Sequence, residues 1–229
     1  MENNSTKETR YNDKQVAILA ATEKLLSEKG YAATSVREIA AASHVNVAMI
    51  SYYFGSKEKL LEALFVQRME AGQVLLQGLL ENKTLTPLQK LEILVNNYVD
   101  KMVANPNFYQ ILSRETAVKE VKEISKLISE TKKRNLELMN LLIAQGQEQG
   151  EFVSSIDVHL MMHTLFGTLI SVATNCDTVR SSYGKAGQKD EIFWKKIGDD
   201  LKRHMLHLIY SALTRKEPIP HQELINSKK

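Results

Sequence analysis

Cysteine is nearly absent: the 229-residue chain holds one, Cys176. A single thiol forms no intrachain disulfide and rules out a zinc site built from a cysteine cluster. A reducing, cytoplasmic setting fits it best. Prolines are scarce, 4 in all, and no stretch alternates apolar and polar residues as a half-buried strand does, so a β-sheet has little to form from. Strong charge of one sign is missing as well. The net charge of +3 permits a polyanionic partner without demanding one. No apolar run reaches the eighteen or so residues that a membrane span needs. The longest, 158–173, is broken by His159, His163 and two threonines and reads as a buried helix. The opening residues, MENNSTKETRYNDK, carry no apolar signal core.

What the chain does have is helical spacing of apolar residues almost throughout, in an ordinary balance of 43% hydrophobic and 25% charged residues. The expected fold is all-α with about nine helices. The first helix is expected over 13–29, with Ile18, Leu19, Thr22, Leu25 and Leu26 on one face and Gly30 as its stop. A short helix follows over 35–42, where Ser35 and Glu38 make a capping box. A second short helix is expected over 46–53, capped by Asn46, and Ser56 caps a fourth that runs to 81. Further helices are expected from Pro87 to about 104, after Pro106, over 117–149, over 155–175, and finally through Trp194 to Ala212. The 155–175 helix is apolar nearly all round, so it should be covered on several sides. The segment CDTVRSSYGKAGQKD reads as a loop, and the tail 215–229 as disordered. The natural division is a helix-turn-helix domain over 1–55 and a larger helical domain for ligand binding and dimerisation over 56–214.

The two short helices joined by a tight turn have the spacing of a helix-turn-helix. At about 100° per residue, Ile50 and Phe54 fall on one side of the second helix and face inward with Val45. Tyr52, Ala48 and Met49 fall opposite, with Val47, Ser51 and Tyr53 on the flanks. That exposed face carries no charge, two tyrosines and small apolar groups. It is a poor surface in water and a good one in a major groove, where small groups allow close approach and tyrosine hydroxyls reach phosphates. Positive charge comes from the edges. Lys57 stands at a helix N-terminus, where its ammonium and the free amides can hold one phosphate. Arg37 lies on the preceding helix, and Lys7, Arg10 and Lys14 form a basic arm.

The block TSVREIAAASHVNVAMISYYFGSKEKLLEALF, with ILAATEKLLSEKGY upstream of it, resembles the N-terminal domain of the TetR-family transcriptional regulators. The resemblance covers about residues 15–65; beyond that the chain is similar in length and helix count only. It implies a three-helix DNA-binding domain, a helical ligand domain and a homodimer. It also implies DNA contacts at the positions held here by Ser35, Arg37, Asn46, Val47, Ala48, Met49, Ser51, Tyr52, Tyr53 and Lys57. Three positions depart from the family pattern. His44 stands in the turn where glycine is usual, Ala48 where glycine is common, and Ser51 where a tyrosine is frequent.

Other constellations carry less. His159 and His163 sit at i and i+4, a spacing that can hold a metal, but Leu160 replaces the glutamate of the metalloprotease signature. They are expected as polar lining of a pocket, and no metal or other cofactor is expected. An all-α enzyme or metal-binding protein using these histidines is the alternative reading; the main one is not an enzyme. Tyr98, Met102, Phe108, Tyr109, Met139 and Phe166 join the histidines as candidate ligand-binding residues. Their expected pocket lies between helices at 88–104, 107–117, 121–149 and 155–175. The expected whole is a ligand-responsive regulator, more a repressor than an activator. Its partners are a palindromic double-stranded DNA operator, a small-molecule effector, and a second copy paired through the last two long helices.

Overall fold

A computed structural model describes residues 11–184, 187 and 189–214. Ten helices and no strand occur among them. Residues Lys7 and Arg10 of the basic arm, and the tail 215–229, lie outside the described residues.

The chain divides into two compact units. The first takes residues up to Ala71 and then Asn105–Thr131; the second takes Gly72–Ala104 and the chain from Lys132. This compact division falls later than residue 55, because α4 (Lys57–Glu81) supplies core to the first unit with its N-terminal half.

In the first unit, α1 (Asp13–Lys29) starts on a capping box between Asn12 and Gln15 and stops at Gly30, whose φ is 83°. Its buried face is Ile18, Leu19, Thr22 and Leu26, with Leu25 only half-buried. α2 (Val36–Ala42) begins on the expected Ser35–Glu38 box. α3 (Val47–Phe54) begins at Asn46, whose side-chain oxygen accepts the Ala48 amide at 2.9 Å, and ends at Gly55, φ 82°. Between them His44 does take the left-handed conformation, φ 55°. Ser56 accepts the Lys59 amide at the start of α4. Leu60, Leu61, Leu64 and Phe65 of α4 are all but fully buried, and Phe65 meets Phe108 of α6 (Pro106–Val118) edge to face at 5.2 Å.

The second half of the chain departs from expectation in its helix boundaries and in the burial of one helix. The helix expected over 117–149 begins instead at Lys122, as α7 (Lys122–Glu148). Lys119 ends α6 in a left-handed conformation, and the buried Glu115 carboxylate accepts the Val121 amide beyond it. The segment expected as a loop contains a short helix, α9 (Cys176–Ser182). Finally, α8 (Val158–Thr174) is not covered on several sides within the chain. Val158, Met162, Leu165, Leu169 and Ala173 are buried, while His159, Leu160, His163, Thr164, Gly167 and Ser171 are exposed.

The core of the second unit is a helix stack around α5 (Pro87–Ala104), which packs on α8 and on α10 (Asp190–Thr214). α10 buries Phe193, Ile197, Leu201, Met205, Ile209 and Leu213, one residue per turn. A β-carbon on Gly198 would lie 2.9 Å from Val103 Cγ2, so this turn of α10 approaches α5 closely because glycine stands there. Lys202 pairs with Asp100 between the same two helices at 2.5 Å. The buried Lys90 ammonium donates to Gln145 Oε1 at 3.1 Å and Leu80 O at 3.4 Å, which satisfies it away from water.

Candidate nucleic-acid interface and effector residues

α3 has two sides. Ile50 is 1% exposed and fixes the helix to the first unit. Val47, Ala48, Ser51 and Tyr52 are exposed, Tyr52 at 83%. Met49 and Tyr53 lie half-buried on the flanks, as does Phe54. Phe54 is thus less inward than the wheel predicts. Its ring meets Tyr11 at 6.2 Å and Tyr53 at 6.5 Å at the edge of the unit. The Tyr52 and Tyr53 rings stand edge to face, 5.2 Å apart. Of the expected contact residues, Val47, Ala48, Met49, Ser51, Tyr52 and Tyr53 lie along α3, on a side of the helix that carries no formal charge.

The edges of that surface are polar. Ser35 and Arg37 are exposed at the start of α2. The Ser35 hydroxyl accepts the Glu38 amide at 3.2 Å and donates to Glu38 Oε2 at 2.9 Å, while Lys29 donates to Glu38 Oε1 at 2.6 Å. Those bonds, with Lys29 the strongest influence and the Ser35 backbone amide next, hold the Glu38 carboxyl down at about 2. Asn46 is exposed and spends its oxygen on the helix cap. Lys57 is half-buried at the start of α4. It is not a free cation, since its ammonium donates to the Tyr31 carbonyl and lies 3.9 Å from the centre of the Tyr31 ring. Tyr31 has no sequence signal beyond following the Gly30 stop. Spacing along the chain does not bring residue 31 to residue 57; only the packing of the unit does.

The candidate effector residues fall into two groups. Phe108 and Tyr109 belong to the first unit, where both are buried and their rings stand edge to face at 5.9 Å. Tyr98, Met102, Met139, His159, His163 and Phe166 belong to the second. Met102 and Met139 are core, 0% and 1% exposed. Tyr98 meets Phe166 edge to face at 5.0 Å. The Tyr98 hydroxyl is buried with no hydrogen-bond partner, as are the side-chain oxygens of Asn97 and Asn135. Burial pushes the Tyr98 phenol up to about 12, so it stays a neutral donor. His159 and His163 stand exposed with ring centres 4.5 Å apart. No group of three metal-ligating side chains occurs among the described residues. Pockets open in this unit among the described residues. One of about 560 Å³ is lined by Leu136, Asn140 and residues 154–159; another of about 420 Å³ lies between α8, α9 and α10. Of the eight candidate residues only His159 lines either.

A second helix anchored by Ile50 on a short first one, with small groups and Tyr52 turned outward, has the form of a helix-turn-helix. Comparison with known proteins narrows the class. Residues 18–64 match the model of "Bacterial regulatory proteins, tetR family", and residues 65–195 match that of "YsiA-like protein, C-terminal region". The chain belongs to the TetR family of transcriptional regulators. It is similar to the fatty acid metabolism regulator protein of Bacillus subtilis, 25% identical over 161 residues, 70% of this chain and 82% of that one. Among solved structures it is similar to the fatty acid degradation regulator FadR of Bacillus halodurans, at 26% identity and a TM-score of 0.65, covering 86% of this chain and 97% of that one. FadR of Bacillus subtilis in complex with stearoyl-CoA shares the fold at 22% identity and a TM-score of 0.63, over 86% of this chain and 98% of that one. These relatives are regulators and not enzymes, so nothing favours the enzymatic alternative built on His159 and His163. Among the described residues no helix is long and apolar enough to cross a membrane.

Proposed function

We propose that this regulator is a repressor that places α3 in the major groove of an operator and leaves it when an acyl-CoA binds. The carrying observation is the outward face of α3, uncharged and exposed at Val47, Ala48, Ser51 and Tyr52 while Ile50 is locked inside. On this reading Ser35, Arg37, Asn46, Met49, Tyr53 and Lys57 complete the contact surface. The DNA-binding part spans 1–55 and the effector and dimerisation part 56–214. The exposed faces of α8 and α10, with Leu160, Ile192 and Leu208 outward, supply the apolar surface for a symmetric pair of cytoplasmic subunits. Two copies of α3 then meet half-sites about one DNA turn apart, roughly 34 Å or a multiple, on a palindromic operator.

The acyl-CoA class is supported by the relatives named as fatty acid regulators, one of them in complex with stearoyl-CoA. It is also supported by the buried, unpartnered hydroxyl of Tyr98 beside the Phe166 ring, a polar handle next to apolar surface. Met102 and Met139 would repack around a chain, as flexible thioethers do. A coupling of about 1–3 kcal/mol would shift DNA affinity roughly 5- to 150-fold. Gel-shift titration on the DNA flanking the gene is the test, repeated with stearoyl-CoA, free CoA and stearate. No retarded band at low salt sinks the DNA reading. A band that stearoyl-CoA does not weaken sinks the effector alone.

A further inference from the structure

Lys57, the cation assigned to a DNA phosphate, is already seated on its own protein. Its Nζ donates to the Tyr31 backbone carbonyl at 2.5 Å and lies 3.9 Å from the centre of the Tyr31 ring. An ammonium carries three donors. One is spent on the carbonyl, which leaves two. The ring face adds a cation–π attraction that holds the group in place without consuming a donor. The far end of the same tyrosine is also tied, since its hydroxyl donates to Glu58 Oε1 at 2.7 Å. The Ser56 hydroxyl bonds the Glu58 carboxylate as well, and together these hold that carboxyl down at about 2. The neighbouring anion is thus occupied by two hydroxyls. Tyr31 therefore does two things at once: it seats the cation and helps fix the anion beside it.

A lysine free in solution must give up its rotamer freedom to grip a phosphate, and a lysine fixed beforehand does not. We propose that Tyr31 is a positioning residue for DNA binding, its ring and carbonyl holding Lys57 aimed at the phosphate that the start of α4 grips. This rests on the reading of α3 and the α4 N-terminus as the DNA-facing surface. Tyr31 need not touch DNA itself. A merely structural tyrosine would lower stability and leave the contribution of Lys57 unchanged.

The test is a double-mutant cycle on DNA affinity with full-length protein. The probe is the duplex enriched from a random-sequence pool by the wild-type chain. Lys57→Ala is expected to weaken binding and to lower the salt slope by about 0.9, one phosphate contact. Tyr31→Leu, which keeps the carbonyl and loses the ring face, is expected to weaken binding by roughly 2- to 30-fold, the range of exposed to desolvated cation–π pairs. In the Lys57→Ala background it should weaken it no further. Phenylalanine at 31, then phenylalanines of the same shape with increasing ring fluorination, keeps the fold while draining the ring face. Affinity should fall step by step along that series only when Lys57 is present. A flat series, or equal losses with and without Lys57, overturns the inference while DNA binding stands. If the wild-type chain enriches no duplex, the DNA reading falls first and this one with it.

Discussion

The guanidinium of Arg114 fills the space that a β-carbon on Gly30 would take. Arg114 Nη1 also donates to the Leu26 carbonyl at 3.3 Å, the same oxygen that the Gly30 amide reaches at 2.9 Å. α6 thereby caps the end of α1. Gly30 has φ 83° and ψ 175°, a region that is essentially glycine's own. Gly30→Ala is expected to destabilise the fold by about 1–3 kcal/mol. Arg114→Ala, which removes one partly exposed hydrogen bond, should cost about 0.5–1.5 kcal/mol. The arginine tip can swing away, so the backbone and not the clash sets the larger cost. Urea melts of the two single variants and the double check this: Arg114→Ala must not rescue Gly30→Ala.

Glu23 on α1 and Arg68 on α4 form an ion pair whose carboxylate is buried and whose guanidinium is partly exposed. Both Nε and Nη2 of Arg68 reach Glu23 Oε2, at 2.8 and 2.7 Å, and the Glu23 side chain is 8% exposed. Burial raises the Glu23 carboxyl above its ordinary 4.5, and Arg68 pulls it back part of the way. Arg68→Ala removes that pull and leaves a buried charge. The expected cost at neutral pH is roughly 2–4 kcal/mol, under the fully buried range of about 3–5 because Arg68 is partly solvated. The sign with pH follows. A carboxyl raised in the folded state is penalised once it ionises, so its contribution worsens as pH rises from 4.5 through the folded value. The gap between variant and wild type should therefore narrow as pH is lowered toward 4.5. A gap independent of pH would contradict a charged Glu23.

Most helices were legible because apolar periodicity and caps are local. Ser35 with Glu38, Asn46 and Ser56 all cap where the sequence places them. His44 is left-handed where a glycine would be usual. The failures have one cause: they depend on what lies across the fold. Lys119 turns left-handed inside a pattern that reads as continuous helix, where the Glu115 carboxylate accepts the Val121 amide two residues on. Phe54 sits half-buried because the neighbouring ring on that side is Tyr11, at the rim of the unit. Spacing also gives no hint that Phe108 meets Phe65, or that Tyr109 meets Phe108, in the first unit. Spacing places Lys57 at a helix start and gives no hint of Tyr31. Residues on α3 were readable as a face because a helix fixes its own geometry, and the seat of Lys57 was not, because 26 residues of chain separate the partners.

Gly146 in α7 is a packing glycine. The Phe152 ring lies where its β-carbon would stand, and the Gly146 carbonyl accepts the amides of Glu151 and Phe152 at 2.9 and 3.1 Å. Phe152 is 5% exposed, so its ring has little room to retreat. Gly146→Ala would improve helix propensity by about 1 kcal/mol in an exposed site. Here overpacking should outweigh that gain, since forcing a filled core apart costs about 1–3 kcal/mol. The expected result is a lower melting temperature. Phe152→Leu should make Gly146→Ala less harmful, and an unchanged penalty in that background would refute the shared space.

Glu38 gives the first unit an acid-sensitive cap. Its carboxyl is held near 2 by Lys29, then by the Ser35 amide and hydroxyl. A carboxyl lowered in the folded state stabilises above its ordinary 4.5, and that contribution is lost as pH falls toward 2. Glu38→Gln keeps the shape of the cap and removes the titration. Denaturant melts at pH values from 5 to about 2 should show a shallower fall for the variant than for wild type. Glu58, held down in the same window, leaves a residual slope in both. Parallel curves would mean that Lys29 and Ser35 do not favour the charged form in solution.

Tyr52 separates DNA contact from fold. It is 83% exposed, and its ring touches Tyr53 rather than the core. Tyr52→Ala should change stability by no more than about 0.5 kcal/mol, as exposed positions do. With α3 in the major groove as proposed, Tyr52→Ala should weaken DNA binding by about 0.5–1.5 kcal/mol, one hydroxyl contact. A phenol is uncharged and releases no counterion, so the salt slope should stay where it was, in contrast to Lys57→Ala. Ser51, one residue earlier and also exposed, has room for the tyrosine frequent in the family. Ser51→Tyr is expected to change which sequences are enriched from a random pool, with the fold intact. Loss of stability in Tyr52→Ala would place that side chain in the packing of α3, and an unchanged affinity would take it off the DNA.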